Sequence, residues 1–158
     1  IPIGSRIHTD IRKKLNYKNT YAIQNVQSGK NLRPLDAGTD DGTQLILYDH
    51  REWECMTWQL IQLNGDVHLV KNLFTQKTFQ PASPDGSDAG LWQQELGGSP
   101  LQYWEFLRQE DDTYLIRLQQ TDLYLTGSSE ETNSPVALMP RQSSRNQLWR
   151  LVRQTPWI

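Results

Sequence analysis

Three tryptophans set the terms on which this chain can fold. Trp58, Trp104 and Trp149 stand 46 and 45 residues apart. Each opens a stretch that alternates apolar and polar residues: Trp58-Gln59-Leu60, Trp104-Glu105-Phe106 and Trp149-Arg150-Leu151. Successive side chains leave a strand on opposite sides, so alternation at period two marks a strand with one buried face. A second series keeps nearly the same step. Tyr21-Ala22-Ile23, His68-Leu69-Val70 and Tyr114-Leu115-Ile116 begin 47 and 46 residues apart, and eleven residues after each opening come Leu32, Phe79 and Leu125. The first gap holds Ser28-Gly29-Lys30, a hairpin turn by composition. A further strand follows at residues 45–47, 91–92 and 136–138, behind loops rich in Gly, Asp, Ser and Pro.

Three anchor series in one phase mean an internal repeat of four short strands. A propeller needs roughly 4–8 such blades to close, and three are too few. Three four-stranded units can instead close one barrel, which removes the free sheet edges that invite aggregation. The expected fold is therefore all-β: a β-trefoil over 19–158 with pseudo-threefold symmetry and repeats at about 19–63, 64–110 and 111–154. Residues 1–18 fall outside the repeat. Ile7, Ile11 and Leu15 recur every four residues behind a possible helix start at Thr9-Asp10. This segment reads as an arm or short helix packed on the barrel, or as a linker from a neighbouring domain. Arg12-Lys13-Lys14 is its solvated face.

Composition narrows the function classes. A length of 158 residues suits one domain with one core. No apolar run approaches the ~18 residues of a membrane helix, so no membrane span is expected. A net charge of −2 argues against a general nucleic-acid binder, which carries a basic excess. Cys55 is the single cysteine, so no internal disulfide can form and the compartment stays open. The chain starts Ile1-Pro2-Ile3 with no signal-peptide pattern, as expected of an N-terminus made by processing.

Glutamine precedes tryptophan by two in Gln102-Tyr103-Trp104 and Gln147-Leu148-Trp149, while Met56-Thr57-Trp58 is a degenerate copy. Two Gln-x-Trp motifs in phase with a 45-residue repeat resemble the ricin B-type lectin family, over roughly residues 19–154. Tyr21-Ala22-Ile23-Gln24-Asn25 with Ser28-Gly29-Lys30-Asn31-Leu32 is similar to its disulfide-free branch. The motif itself is chiefly architectural: Trp58, Trp104 and Trp149 pack in the core, and the glutamine satisfies buried backbone groups. The resemblance implies a non-catalytic domain that binds glycans or glycoconjugates, needs no cofactor or metal, and works in an extracellular or cell-surface setting.

Sugar recognition needs an aromatic ring against the apolar face of the pyranose and polar groups for its hydroxyls. In the resembled family each site uses an Asp after the second strand, an aromatic ending the third, and Asn and Gln just before the tryptophan. In the first unit these positions hold Arg33, Tyr48, Cys55 and Met56, with Asp36, Asp49, His50, Glu52 and Trp53 close in sequence. In the second they hold Gln80, Gln93, Leu101 and Gln102; Trp92 falls one residue early, so it is expected to point inward and leave no site. In the third they hold Thr126, Met139, Asn146 and Gln147, with Asp122, Ser128 or Glu130 as substitute acceptors. Tyr48 is the expected platform, with Arg33, Asp36, Thr126, Asn146 and Gln147 as the expected polar contacts.

Other chemistry finds little footing. His8, His50 and His68 are dispersed, which is unlike a zinc site. Cys55 and His50 lack a third orienting group. The adjacent acids Asp40-Asp41, Glu110-Asp111-Asp112 and Glu130-Glu131 read as solvated loops rather than a glycosidase pair. The competing reading is a protein-interaction module that has lost sugar binding, with Trp53 and Trp157 as anchors.

Overall fold

The computed structural model describes residues 18–83 and 90–156. Along them run twelve strands: β1 (Thr20–Asn25), β2 (Asn31–Pro34), β3 (Leu45–Tyr48), β4 (Trp58–Asn64), β5 (Val67–Asn72), β6 (Thr78–Pro81), β7 (Leu91–Gln94), β8 (Trp104–Arg108), β9 (Tyr114–Leu118), β10 (Leu123–Gly127), β11 (Val136–Pro140) and β12 (Trp149–Arg153). Six of these close on themselves through antiparallel pairs: β1 with β4, β4 with β5, β5 with β8, β8 with β9, β9 with β12, and β12 back to β1. The other six form the hairpins β2–β3, β6–β7 and β10–β11. Single bridges tie these hairpins together, Gln44 to Trp92, Ile46 to Pro135 and Gly90 to Ala137. A closed six-stranded barrel with three outer hairpins is the β-trefoil architecture. The segment 1–17, with the proposed arm, and Trp157 lie outside the described residues.

The three tryptophans build the centre. Trp58, Trp104 and Trp149 open β4, β8 and β12, and none is exposed to solvent. A buried indole needs an acceptor for its N–H. Each finds one on the second strand of its own unit: Trp58 Nε1 donates to Leu32 O at 3.0 Å, Trp104 to Phe79 O at 3.3 Å, and Trp149 to Leu125 O at 3.0 Å. Phe79 stands edge-on to Trp58 and tilted against Trp104, with centroids 5.3 and 4.9 Å apart. The residue before each tryptophan also repeats its role. Thr57, Tyr103 and Leu148 offer their carbonyls to the backbone N–H of Leu73, Gln119 and Val26 at 2.9–3.0 Å.

Hairpin register decides which side chains reach the surface, and it overturns one expectation. In β7, Leu91 and Gln93 point inward, and Trp92 is 37 % exposed. Trp92 pairs with Gln80 and Gln94 pairs with Thr78. The alternation thus turns Trp92 outward. Gln93 is held inside, where its amide donates to Gly38 O and Asp40 O at 2.9 and 3.0 Å.

Candidate functional site

The tryptophan bonds give a common frame for the units. Since Leu32, Phe79 and Leu125 each accept an indole, the residues after them, Arg33, Gln80 and Thr126, are equivalent. Likewise the cross-strand pairs Asn31–Tyr48, Thr78–Gln94 and Tyr124–Met139 correspond. The platform position of the second unit is therefore Gln94 and not Gln93.

In the second and third units the first position is tied to the Gln-x-Trp glutamine. Gln102 Nε2 donates to Gln80 Oε1 at 3.0 Å and to Glu95 O at 2.8 Å, and its Oε1 accepts from Gly97 N at 3.0 Å. Gln147 Nε2 donates to Thr126 Oγ1 at 3.1 Å and to Pro140 O at 2.9 Å, and its Oε1 accepts from Gln142 N at 2.6 Å. Both glutamines sit in short 3₁₀ turns just before the barrel strands, where they pin the outer hairpin to the barrel. Thr126 is 1 % exposed and Gln147 is not exposed at all. These two are internal braces and present nothing to a ligand in this conformation, which corrects their reading as sugar contacts. Asn146 is half-buried and donates to Gly127 O at 3.2 Å. Beside this unit lies an open depression of about 410 Å³, lined by Glu105, Arg117, Gln119, Gln120, Thr121 and Asp122. It contains no aromatic ring, and Arg117 is already paired with Glu105.

The first unit is built differently. Met56 replaces the glutamine and is fully buried, so it has nothing to offer Arg33. The Arg33 guanidinium lies instead over the Tyr48 ring, 3.8 Å from its centroid. The Tyr48 and Trp53 rings follow at 6.2 Å, tilted by 30°. Arg51 stands 5.9 Å from the Trp53 ring. Cations and rings thus alternate along one face, in the order Arg33, Tyr48, Trp53, Arg51, and the space beside them is the first-unit cleft. Trp53 is 45 % exposed, which for so large an apolar surface is the unusual observation. Asn31, opposite Tyr48, directs Nδ2 to His50 Nδ1 at 2.9 Å. Asp49 accepts from Thr132 Oγ1 at 2.8 Å and faces Lys30 at 3.8 Å.

Asp36 does not join this group. It lies beyond the far end of the β2–β3 ladder from Tyr48, in an exposed turn at φ 52°. Cys55 is buried beside Arg33, and burial pushes its thiol above the ordinary range, with Arg33 opposing that effect. His50 bonds Asn31, so no Cys55–His50 pair forms. Among the described residues no three His, Cys, Asp or Glu side chains gather as a metal site, and no helix is long and apolar enough to cross a membrane. Sequence reading placed Tyr48 and Arg33 together but took Trp53 as a sequence neighbour and as a protein-contact anchor, not as a ring set against Tyr48. Its signal was the aromatic five residues after Tyr48, in a polar loop.

No protein-family model and no curated protein matches this chain. Solved structures do. The designed threefold-symmetric protein ThreeFoil superposes with a TM-score of 0.81 at 23% identity, covering 85% of this chain and 99% of its own. An exo-β-1,3-galactanase from Clostridium thermocellum gives 0.81 at 23% identity over 86% of this chain, but this chain spans only 30% of that enzyme. A Macrolepiota procera ricin B-like lectin, solved in complex with lactose, gives 0.70 at 20% identity over 85% of this chain and 94% of its own. The fold is thus a β-trefoil of the kind found in a ricin B-like lectin.

Proposed function

We propose that this domain binds glycans without catalysis, at the first-unit cleft walled by Tyr48 and Trp53. The single observation behind this reading is the exposed indole of Trp53 set against Tyr48, with the Arg33 guanidinium over the same ring. Asn31 and Arg33 lie two residues apart on β2 and share a face with Tyr48. A pyranose meets both demands: its apolar face stacks on the ring, and its hydroxyls donate and accept. The similarity to a lectin solved with lactose supports the same reading. We read the twelve strands as three four-stranded units about a pseudo-threefold axis, of which only the first keeps an aromatic platform. One small polar site gives weak affinity, so binding in use would rely on several copies or on a companion domain.

A glycan array with the wild-type chain and the variants Trp53→Ala and Tyr48→Ala tests this. At least one glycan should bind, and Trp53→Ala should weaken it by about tenfold, the scale of a lost stacking contact. Since Trp53 is exposed, its removal should change stability by no more than about 0.5 kcal/mol. An empty array, or full binding by both variants, would remove the first-unit site. Phe74, 50 % exposed, favours a second reading as a protein-interaction module. A captured protein that free sugar does not release, lost on Phe74→Ala, would favour that reading.

A further inference from the structure

Resting on the glycan reading, we propose that the first-unit cleft selects a carboxylate-bearing sugar, and that Arg33 is the residue that selects it. The argument starts from an unbalanced charge. Arg33 is only 7 % exposed, and among the described residues no carboxylate pairs with it. Its Nε is buried with no hydrogen-bond partner. Its close neighbours are the Tyr48 ring and the Cys55 thiol. A buried cation without an anion is costly, and such sites normally hold a counter-charge.

The equivalent positions show that this is particular to the first unit. Gln80 and Thr126 are neutral and accept from Gln102 and Gln147. In the first unit both members differ, Arg33 for the acceptor and Met56 for the donor, so the cation rests on the Tyr48 ring beside the Cys55 thiol with no counter-charge among the described residues. Contact with Tyr48 holds the guanidinium in place over the ring, and its N–H groups radiate in the guanidinium plane. That arrangement suits a bidentate carboxylate. The nearby Asp49 does not compete, since Thr132 and Lys30 engage it. Asn31 is fully buried on the same face, with one end of its amide on His50 and its Oδ1 unpartnered, so it shapes the floor beneath Arg33 rather than meeting the sugar.

A matched pair of ligands tests this. The intact chain is titrated with methyl glucuronide and methyl glucoside by tryptophan fluorescence, as wild type, Arg33→Met and Arg33→Lys. The glucuronide should bind about tenfold more tightly than the glucoside, the effect of one charge-assisted pair, and added salt should shrink the difference. Arg33→Met should make the two sugars equal, and Arg33→Lys should keep part of the preference. The urea midpoint of Arg33→Met should be unchanged or raised, because an unpaired buried charge is gone. Equal binding of both sugars by the wild type, or a preference that survives in Arg33→Met, overturns acid selection and leaves the glycan reading standing. Binding of neither sugar, with an empty array, overturns both.

Discussion

Replacing Gln147 with methionine makes the third unit copy what Met56 already does in the first. The two side chains are similar in volume, so the change removes hydrogen bonds with little change in packing. Four bonds are lost: Nε2 to Thr126 Oγ1, Nε2 to Pro140 O, and Gln142 N and Arg141 Nη1 to Oε1. At a net ~1 kcal/mol each the loss is about 4 kcal/mol. Pro140, Arg141 and Gln142 are exposed and can turn to water, which lowers the expectation to about 2 kcal/mol. For a domain of this size that is a fall in Tm of roughly 4–8 °C. Urea denaturation should show the midpoint shift with an unchanged m-value, since the barrel stays closed. The double variant Thr126→Val/Gln147→Met gives the sharper reading. The single change leaves the Thr126 hydroxyl donating to Tyr124 O at 2.9 Å but with no donor to accept from, and each single change forfeits the same Gln147–Thr126 bond, so the double variant's cost should fall short of the two single costs added together by about 0.5–1 kcal/mol. A Gln147→Met protein as stable as wild type would refute the bracing role, as would strict additivity in the double variant.

Other outcomes follow from local geometry. A Cβ on Gly127 would stand 3.1 Å from Asn25 Nδ2 and 3.2 Å from Leu47 Cδ1, and Asn25 is held by its bond to Asn146 O at 3.0 Å. Gly127→Ala should therefore cost about 1–3 kcal/mol, read as a lowered urea midpoint. Cys55 should resist alkylation in the folded protein and react on unfolding. Its folded pKa lies above its unfolded value, so its contribution to stability is complete below the unfolded pKa and fades as pH rises through the folded one. Denaturation from pH 8 to 10 should show a loss of stability in wild type that is smaller in Cys55→Ala.

The parts of the fold that sequence made legible were those fixed by residue type and spacing. Each tryptophan opens a barrel strand, and each glutamine two residues earlier braces a hairpin. Trp92 shows where that ends. Its direction depends on one step of alternation in a four-residue strand, and the register of Gln80 with Trp92 sets that step from outside the strand. The site was less readable for a similar reason. Arg33 and Tyr48 were placed by their positions, but the contact between them is a cross-strand packing choice. It depends on Met56 failing to bond, and Met56 lies far along the chain from Arg33. Thr126 stood at a binding position and Gln147 matched one by type, and their burial came only from the tertiary fold.

The pairing of β1 with β12 has a consequence for how the protein is made. Five successive residues, Tyr21 to Asn25, pair with Arg153 to Trp149. Thr20 and Gln154 clasp the end of this seam, Oγ1 to O at 2.7 Å and N to O at 3.1 Å. Within this domain β1 thus waits for β12 before its outer hydrogen bonds are filled. During synthesis the nascent domain carries an open sheet edge until residue 153 has emerged, and final closure joins segments some 130 residues apart. Emergence of β12, rather than of any earlier hairpin, is then the event that completes this domain.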